Sequence, residues 1–430
     1  MDPGIDSIAE LQKRTYRYFH DQADPKTGLI RDNTRPDSPA SIAGSGMALG
    51  AHVVAVEQGH ETREAAAAHC RKILEFLFHA EQSDQPSATG YKGFFYHFLE
   101  METGRRTWRS ELSTIDSAIL FAGALVAAQY FNGNSADERA IQKLGNDIYL
   151  RADWQWMLQG NAISHGWRPE TGFLRYAWRG YNEALFLIIL ALGSPTFPVG
   201  EASYPEWLST YRWRRLYGHE HVYSGPLFTH QLSHLWIDFR GIQDSYMRDR
   251  CIDYFENSRR ATYVQRAYAI RNPRHFKGYS ENVWGVTASE GPAWPNKSEL
   301  HRGRKFFGYH ARGVPYGPDD GTLSPWAIVA SLPFASEIVV SAMRHMNETY
   351  PEIAGTYGYE SSFNPSYPAG SSAGWMSQWH YAIDQGPLII MVGNYLSGIM
   401  WQMTRSCEHI VRGLERAGFS GGWLGDRKQK

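Results

Sequence analysis

Helical segments that follow one another in pairs dominate this sequence. Their apolar residues recur at spacings of three and four, and turn residues such as Gly59 separate them. The pattern predicts about a dozen helices, at residues 5–22, 41–58, 62–81, 113–131, 135–154, 181–192, 204–214, 226–239, 245–270, 323–347, 387–405 and 408–417. Six helical hairpins favour an all-α (α/α)6 toroid, although the helix count alone also allows a solenoid. Because no proline- or serine-rich linker divides the chain, we expect one domain over residues 1–430.

One segment, Gly93–Trp108, has the character of β-structure. Phe94–Phe98 and Arg105–Trp108 flank Glu102-Thr103-Gly104, which predicts a hairpin. Alternation of apolar and polar residues is almost absent elsewhere, which favours the all-α class.

Long loops connect several of the predicted helices, at residues 83–112, 154–181, 272–322 and 350–385. Compact domains usually join helices with fewer than about 8 residues, and longer ordered loops are often functional. These loops hold aromatic residues that need a surface to pack on: Trp108, Trp167, Trp178, Trp284, Trp294, Tyr309, Tyr316, Tyr359, Trp375 and Trp379. We therefore predict that the loops gather at one face of the barrel and form an aromatic cleft.

The overall charge restricts the class of ligand. The chain has 43 Lys plus Arg and 44 Asp plus Glu, so no net field attracts nucleic acid or an anionic membrane. Aromatic residues make up 14% of the chain, with 15 Trp and 25 Tyr, and Trp and Tyr in excess of a core often line sugar-binding clefts. A neutral ligand fits best, and the sequence leaves the oligomeric state open.

Cysteines and the amino terminus bear on the compartment. Cys70, Cys251 and Cys407 are too few and too scattered for a disulfide framework or a zinc site. Met1–Glu10 contains no basic segment followed by an apolar run, so the sequence predicts no secretory signal. We expect a cytoplasmic protein, or a periplasmic one if a leader has been removed.

Glu183 stands just ahead of nine consecutive apolar residues, Ala184–Leu192. That run is too short to cross a bilayer, and no membrane insertion is expected; it predicts a helix buried on nearly every side. Burial raises the pKa of a carboxyl group, whereas a helix N-terminus favours the ionised form and opposes that shift. If burial dominates, Glu183 is a protonated acid near neutral pH; otherwise it is an ordinary carboxylate in a first helical turn.

Asp384 has a similar setting, in Ala-Ile-Asp-Gln-Gly-Pro ahead of the apolar residues Leu388–Val392. Hydrolysis of an acetal needs two carboxyl groups, one protonated and one ionised. Asp384 and Glu183 are candidates, although an N-cap Asp is an equally good interpretation of Asp384. Further acidic residues occur in the loops or at helix starts: Asp116, Glu281, Glu290, Asp319, Asp320 and Glu360.

Other motifs carry little weight. His230 and His234 have the i, i+4 spacing of metal ligands, but the sequence between them lacks the Glu of a zinc protease. Gly44-Ser45-Gly46 follows no predicted strand and makes a poor phosphate loop. The chain has no Gly-x-Ser-x-Gly elbow. We therefore expect neither a metal nor a cofactor at the site.

Several stretches together resemble a known family: Thr15-Tyr-Arg-Tyr-Phe19, Gly28-Leu29, Ser41-Ile-Ala-Gly-Ser-Gly46, Glu281-Asn-Val-Trp-Gly-Val-Thr-Ala-Ser-Glu-Gly-Pro292, Asp320-Gly-Thr-Leu-Ser-Pro325, Tyr357-Gly-Tyr359 and Ile383-Asp-Gln-Gly-Pro387. The chain is similar, over about residues 8–405, to the "putative glucoamylase" family of (α/α)6 glycoside hydrolases, family 144, whose characterised relatives are β-1,2-glucanases. The resemblance implies anomer-inverting hydrolysis of β-1,2-glucan without a metal or cofactor.

The resemblance also implies roles for individual residues. Glu183 would be the general acid, Asp384 would be the general base and Asp116 would face the sugar. The two catalytic carboxyl groups of related enzymes can act through a substrate hydroxyl or water, so their separation can exceed the usual inverting range of about 6.5–9.5 Å. The remaining residues that we expect to contact substrate are Trp167, Trp178, Tyr181, Glu281, Trp284, Asp320, Glu360, Trp375 and Trp379.

This chain departs from the family pattern at three positions. Arg109 and Ser113, just ahead of Asp116, and Ser361 stand where endo-glucanases carry acidic residues. Such changes alter sugar subsites more readily than the fold. Exo-acting hydrolysis or glucosyl transfer on β-1,2-glucooligosaccharides, or a non-catalytic glucan-binding protein, are therefore alternatives. An (α/α)6 epimerase would be expected to use His pairs, of which His230 and His234 are one.

Overall fold

A computed structural model of the chain describes residues 3–294, 297–301 and 303–427. The α-helices in this part of the chain are α1 Pro3–Asp21, α2 Ile42–Glu57, α3 Arg63–His79, α4 Thr114–Tyr130, α5 Ala136–Leu150, α6 Leu185–Gly193, α7 Ser203–Leu208, α8 Leu232–Trp236, α9 Ser245–Arg248, α10 Tyr254–Arg271, α11 Pro325–Val329, α12 Ser336–Thr349, α13 Ala382–Leu396, α14 Ile399–Ser406, α15 Glu408–Arg416 and α16 Gly422–Asp426. Short 3₁₀ helices cover Leu227–His230 and Pro351–Ile353.

The strands are short. They are β1 Ala40–Ser41, β2 Gly90–Tyr91, β3 Phe94–Tyr96, β4 Phe98–Leu99, β5 Leu112–Ser113, β6 Leu158–Gln159, β7 Ala162–Ile163, β8 Gly166–Arg168, β9 Gly172–Phe173, β10 Trp213–Leu216, β11 His219–Val222, β12 Ala288–Ser289, β13 Ser298–His301, β14 Arg304–Phe307, β15 His310–Ala311, β16 Ala354–Gly355, β17 Gly358–Tyr359, β18 Phe363–Asn364 and β19 Trp375–Met376. The all-α prediction was therefore too strict, because strands of two to four residues leave almost no alternating pattern in the sequence.

The predicted long loops contain most of these strands. One antiparallel sheet has the order β2-β3-β5-β8-β9 and joins the first two loops, with Ser113 opposite both Phe95 and Gly166. The predicted hairpin within Gly93–Trp108 is reduced to a turn with one bridge between Leu99 and Arg106. Its first half pairs elsewhere, since β3 binds β2 and β5 and β4 binds β1.

The predicted starts of the early helices are confirmed within a residue. Ser41, Thr62, Ser113 and Ser135 are N-caps, and each hydroxyl accepts a hydrogen bond from the backbone N–H three residues later. These bonds satisfy N–H groups that have no partner inside the helix. Ser113 is the most consequential, because it ends β5 and fixes the start of the helix that carries Asp116.

Several later boundaries differ from the prediction. The predicted helices 226–239, 245–270 and 323–347 are each divided in two, and 204–214 ends at Leu208 before a strand begins. The helix predicted from Pro387 begins five residues earlier, at Ala382. The apolar spacing continues across these breaks, but two of them carry other signals that the prediction did not use. Pro333 lies between α11 and α12, and Asp253, the N-cap of α10, stands three residues before Glu256.

The helices fall into two sets. Helices α2, α4, α6 and α13 are buried along nearly their whole length, and all nine residues of α6 are buried. Helices such as α5 present one buried face and one exposed face. In this buried set, α2 packs against α4 and α13, and α4 packs against α6. The short helix α8 is also fully buried and contacts both α6 and α13.

A pair of glycines brings α2 and α4 together. A Cβ atom on Gly46 would lie 2.5 Å from the Leu120 Cα, and one on Gly123 would lie 2.1 Å from the Gly46 carbonyl oxygen. Only glycine permits backbones to approach this closely. This contact fixes α4, and with it Asp116, relative to α2. No helix in the described part of the chain combines the length and apolarity needed to cross a membrane.

Candidate active site

A cleft of about 550 Å³ brings together residues that are distant in the sequence. Loops supply most of its polar groups, and the first turns of α4 and α13 supply the rest. It is lined by Asp32, Asn33, Arg35, Ser41, Ala43, His97, Phe98, Trp108, Ile115, Asp116, Ile119, Glu183, Phe228, Leu232, Ala288, Glu290, Tyr309, Trp326, Tyr381, Ile383 and Asp384. Glu183, Asp384 and Asp116, which the sequence analysis singled out, all line this one cleft.

A second large depression, of about 630 Å³, lies on the outer surface of α3. Both of its carboxylates have a cationic partner, since Arg71 pairs with Glu75 at 3.2 Å and with Asp137 at 2.7 Å. It holds no pair of unneutralised carboxyl groups, so the cleft is the site with chemical capability.

Glu183 lies in a turn two residues before α6. The Asn182 side chain accepts a hydrogen bond from the Ala184 N–H at 3.0 Å, and the Glu183 carbonyl accepts one from Ser233 at 3.0 Å. Helix α6 therefore begins at Leu185 instead of the predicted Tyr181. Burial, supplemented by the negative charge of Asp116, raises the pKa of Glu183 to about 7. Of the two competing effects, burial is thus the stronger, and Glu183 is substantially protonated at neutral pH.

Asp384 lies in the first turn of α13 and is almost completely buried. It is not the N-cap, because Tyr381 occupies that position. Burial raises the pKa of Asp384 well above its usual range, and the charges of Asp32 and Glu290 add to the effect. The nearby hydroxyl of Ser361 opposes this shift by favouring the carboxylate.

The segment between α1 and α2 is bonded to the start of α13. Asn33 pairs with Tyr381 in an antiparallel bridge, the Ala382 N–H donates to the Asp32 carbonyl at 2.8 Å, and the Thr34 N–H donates to the His380 carbonyl at 3.1 Å. These bonds fix Asp32 close to Asp384. Burial also raises the pKa of Asp32, although a hydrogen bond from the Asn33 side chain opposes this.

His97 connects two carboxylates on another wall of the cleft. Its Nδ1 atom lies 2.9 Å from Glu111 and its Nε2 atom lies 3.6 Å from Asp116. Burial disfavours the charged imidazole, but Asp116 and Glu111 outweigh it and raise the pKa of His97 to about 9. Burial likewise disfavours the ionised form of Glu111, but His97 lowers the pKa of this group to about 2. His97 is therefore a cation at neutral pH.

Arg35 and Glu290 form an ion pair at the edge of the cleft. The Ser377 hydroxyl donates to the second oxygen of Glu290 at 2.6 Å. The Arg35 guanidinium lies 5.6 Å from the Trp379 ring centroid and 6.0 Å from that of Tyr381. The pair thus presents a neutral, hydrogen-bonding surface flanked by aromatic rings.

Tyr309 reaches the cleft from the turn between β14 and β15. Burial of its hydroxyl raises the pKa of Tyr309, and the charges of Asp384, Asp32 and Glu183 raise it further. The phenol is consequently neutral and able to donate a hydrogen bond near all three carboxyl groups.

The mouth of the cleft continues into a shallower depression of about 340 Å³. Trp108 and Trp379 line it together with Asn33 and Arg35. Trp108 is 64% exposed, and an exposed indole of this kind is a platform on which a sugar ring can stack.

The structure does not bring the remaining predicted substrate contacts into the lining of the cleft. Trp167 packs near Tyr91, with ring centroids 5.4 Å apart, and Trp178 stacks on His165 at 3.8 Å. Tyr181 stacks on Tyr254 at 5.9 Å, and Trp284 is fully buried in the core.

The predicted acidic contacts have other partners. Glu281 lies on the surface and pairs with Arg266, and Asp320 forms a buried ion pair with Arg312. Glu360 lies 3.5 Å from His380, and burial raises its pKa to about 7. Trp375 belongs to the pairing of β18 with β19.

The sequence analysis did not single out Asp32, Arg35, His97 or Tyr381. The sequence does contain a signal for Asp32 and Arg35. Both belong to the polar run Arg31–Arg35, which lies in a connection between α1 and α2 that is long for a compact domain. No local signal marks His97 or Tyr381, because their neighbours in the cleft come from remote parts of the chain.

The candidate metal pair His230 and His234 is divided between two environments. His230 Nε2 lies 3.2 Å from the Ser224 carbonyl oxygen, whereas His234 Nε2 lies 3.0 Å from the Ser258 hydroxyl. Burial lowers the pKa of each imidazole to about 3, which keeps both neutral. They are core residues with separate partners.

Comparison with known proteins assigns the family. The sequence model of the family described as "Putative glucoamylase" matches residues 175–408, which is more than half of the chain. A crystal structure of a putative glucoamylase from Bacteroides uniformis is 32% identical, covers 99% of this chain and 100% of its own, and superposes with a TM-score of 0.87. This chain belongs to the putative glucoamylase family. The expected resemblance is confirmed.

Two further proteins that are similar to this chain have named activities. A structure described as an endo-β-1,2-glucanase from Chitinophaga pinensis, in complex with sophorotriose and glucose, is 28% identical over 98% of this chain and 100% of its own, with a TM-score of 0.85. An exo-β-1,2-glucooligosaccharide sophorohydrolase (non-reducing end) from Parabacteroides distasonis is 27% identical over 94% of this chain. The chain spans 57% of the length of that curated relative.

Proposed function

We propose that this member of the putative glucoamylase family is a glycoside hydrolase acting on β-1,2-glucan or its oligosaccharides with inversion of the anomeric centre. The observation that carries the proposal is that Glu183 and Asp384 line one cleft. Two carboxyl groups facing a common groove are the minimum equipment for glycoside hydrolysis.

In the proposed reaction, Glu183 donates its proton to the glycosidic oxygen as the bond to the anomeric carbon breaks. A water oxygen attacks that carbon from the opposite face, and its proton passes to Asp384, directly or through a substrate hydroxyl. The pKa of about 7 suits Glu183 to the acid role. The balance of atoms needs only water and the two side chains, so no cofactor is required.

The rate of the proposed reaction depends on pH through Glu183 and Asp384, because burial raises the pKa of both carboxyl groups. Only molecules in which Glu183 is protonated and Asp384 is ionised can react in the assigned roles. The Ser361 hydroxyl favours the ionised form of Asp384. A bell-shaped dependence of kcat/KM on pH is expected from two such groups.

The residues that line the cleft and its mouth suit a neutral substrate with many hydroxyl groups. Trp108 and Trp379 supply aromatic faces at the mouth, and the Arg35–Glu290 pair supplies donors and acceptors without net charge. Asp116 is proposed to face the sugar and bind its hydroxyl groups, with His97 keeping it oriented. Nucleic acid is not a proposed partner.

For the fold, we propose a single domain built as an (α/α)6 toroid. Support comes from the packing of α2, α4, α6, α8 and α13, in which each helix contacts its neighbours and α8 returns to α13. Outer helices such as α5 expose one face, as the outer layer of such a ring requires.

The similar proteins support the linkage of the substrate, since both printed activities concern β-1,2-linked glucose. One acts within the chain and the other from its non-reducing end, so the position of attack is a separate question. Exo-acting hydrolysis or glucosyl transfer is the second candidate, favoured by Arg109, Ser113 and Ser361, the residues at which we expect this chain to depart from the endo-glucanase pattern. A non-catalytic glucan-binding protein is the third.

Proton NMR of a reaction with linear β-1,2-glucan tests the proposal. Inverting hydrolysis produces α-configured reducing ends first, which then mutarotate, and transfer produces longer products in place of free reducing ends. Release of sophorose alone identifies exo-action, whereas a ladder of oligosaccharides identifies endo-action. Tight binding of glucan with no turnover of any β-1,2-glucooligosaccharide would refute the hydrolase and support the binding protein.

A further inference from the structure

Three potential metal-ligating side chains meet at a place that shares no lining residue with the cleft. His20 lies near the end of α1, Glu61 lies in the connection between α2 and α3, and His69 lies in α3. One donor atom from each lies within 4.8 Å of the other two. In the described part of the chain, no other three His, Cys, Asp or Glu side chains bring their donor atoms this close together.

A neighbouring carboxylate fixes the orientation of His20. The Nδ1 atom of His20 lies 3.0 Å from Asp21 Oδ1, which leaves Nε2 as the nitrogen available to a ligand. Metal-binding histidines usually donate their second ring N–H to a carboxylate or carbonyl in this way.

The Glu61 carboxylate is also held by its surroundings. Its Oε1 atom accepts a hydrogen bond from the Thr62 N–H at 2.9 Å, and its Oε2 atom lies 3.5 Å from the Tyr16 hydroxyl. The Tyr16 hydroxyl is in turn 3.0 Å from Nδ1 of the buried His52. When His52 donates to Tyr16, the hydroxyl is free to donate to Glu61, so the chain of bonds is internally consistent.

His69 is held by ring stacking. Its imidazole lies parallel to that of His52, with centroids 5.1 Å apart and an interplanar angle of 1°. His52 thus supports two members of the group, His69 by stacking and Glu61 through Tyr16. The three donors are oriented by other side chains instead of rotating freely on a surface.

A cavity of about 230 Å³ adjoins the group and is lined by His20, His52 and His69. It has room for water molecules to complete the coordination of an ion. Lys72 also lines the cavity, but its ammonium group donates to the Pro25 carbonyl at 2.9 Å. The cation therefore has a partner of its own and is turned toward the backbone.

We propose that His20, Glu61 and His69 form a binding site for a divalent transition-metal ion, with Zn²⁺ as the best match. Two imidazoles and one carboxylate are ligands that Zn²⁺ accepts, and water would take the remaining position. Zinc holds such donors at about 2.0–2.2 Å, so they must close to roughly 3.5 Å from one another. His20, whose side chain is 53% exposed, can move toward the other two donors together with Asp21 and so keep its Nδ1 contact.

The bound ion would join α1, α3 and the connection that precedes α3. The site shares no lining residue with the cleft. We therefore expect a bound ion to raise the stability of the protein and to leave the hydrolytic step unchanged. A ligand that binds the folded state alone raises the free energy of unfolding. The site could not be predicted from the sequence, since His20, Glu61 and His69 are not joined by a short metal-ligand spacing.

Calorimetric titration of the tag-free 430-residue chain with Zn²⁺, after dialysis against a chelator, tests the site. One ion per chain should bind, and His20→Gln and His69→Gln should each weaken binding by at least about 100-fold, since loss of a residue that only hydrogen-bonds to a metal ligand already costs about 10–100-fold. Asp21→Asn should weaken it by about 10-fold. Zn²⁺ should raise the unfolding temperature of the wild type and not of the two histidine variants.

His79→Gln is the matched control, because His79 is an exposed histidine of the same helix outside the group. It should bind Zn²⁺ as the wild type does. Addition of Co²⁺ to the wild type and to His79→Gln should give the visible absorption bands of a low-symmetry site, and these should be absent in His69→Gln. Absence of stoichiometric binding, or equal binding by all variants, would overturn the proposal.

Discussion

His97 stands between Asp116 and Glu111, 3.6 Å from the first and 2.9 Å from the second, so one imidazole connects two carboxylates in the wall of the cleft. Its positive charge compensates two negative charges that would otherwise repel each other and Glu183. His97 also helps to hold Asp116, because its Nε2 atom faces the same carboxylate oxygen, Oδ2, to which the Ser113 hydroxyl donates.

Replacement of His97 by Gln should lower the free energy of unfolding by about 1–3 kcal/mol at neutral pH, because Asp116 loses the cation beside it and Glu111 keeps only Arg168. The pKa of His97 is raised to about 9 from an ordinary value near 6.5. Its stabilisation is therefore complete below about pH 6.5 and is lost as the pH rises through about 9. Urea unfolding of the wild type and the variant at pH 6, 8 and 10 should give curves that converge at the highest pH.

His345→Gln, in α12, is the control for this experiment. That residue has no carboxylate partner among the described contacts of its side chain, which lies 3.4 Å from Thr349. Its variant should follow the wild type at every pH. A His97 variant whose deficit stays constant from pH 6 to pH 10 would contradict the assigned charge.

Asp320 is expected to act on stability and not on substrate binding. Arg312 donates to both of its carboxylate oxygens, at 2.7 and 2.9 Å, and both side chains are completely buried. Asp320→Asn leaves a buried guanidinium unpaired and should cost about 3–5 kcal/mol in unfolding free energy. Arg312→Met in the same chain should recover part of that loss. A raised KM without loss of stability would show instead that Asp320 contacts the sugar.

The helical framework could be predicted because its signals are local. Ser41 and Ser113 begin predicted helices that are rich in apolar residues, and in the structure each of them is the N-cap of its helix. The short strands could not be predicted, since a pair such as Ser113 opposite Gly166 depends on the tertiary arrangement of two loops. The break between α9 and α10 was missed because the apolar spacing continues across it, although the N-cap Asp253 and Glu256 three residues later mark the start of α10.

The candidate active site could also be predicted in part, where its residues are marked by local sequence signals. Glu183 and Asp384 each precede or begin an apolar helix, which is visible in the sequence, and the cleft contains both. Asp320 and Trp284 have the same residue types as substrate contacts, but only the structure shows that Arg312 and the core already satisfy them. Residue type and loop position identify candidates, whereas burial and partners decide among them.

Trp379 and Trp108 are expected to contribute to substrate affinity at the mouth of the cleft. Removal of either ring by substitution with Ala should raise KM by roughly 3- to 10-fold with little change in kcat, since an aromatic contact contributes about 0.5–1.5 kcal/mol. Trp294→Ala is the control, because that indole is 77% exposed and does not line the cleft. Equal KM values for all three variants and the wild type would exclude a sugar platform there.

Asp384→Asn should reduce kcat by at least about 100-fold while the protein stays folded, because the amide cannot accept the proton of the attacking water. Asp32→Asn offers a finer test. The charge of Asp32 raises the pKa of Asp384, so its removal should lower that pKa and move the acidic limb of the kcat/KM profile to lower pH. A movement to higher pH, or full activity of Asp384→Asn, would contradict the assigned base.

Glu183→Gln should likewise reduce kcat/KM by at least about 100-fold, because the amide has no proton of suitable acidity for the leaving oxygen. In the wild type, the activity should decline as the pH rises through about 7, where Glu183 loses its proton. The residual activity of the variant should lack this alkaline limb, and at pH 8 the variant should be at least as stable as the wild type, since no buried charge forms. Glu201→Gln, whose side chain is 72% exposed, should retain both the rate and the limb, and an active Glu183→Gln enzyme would require a different acid.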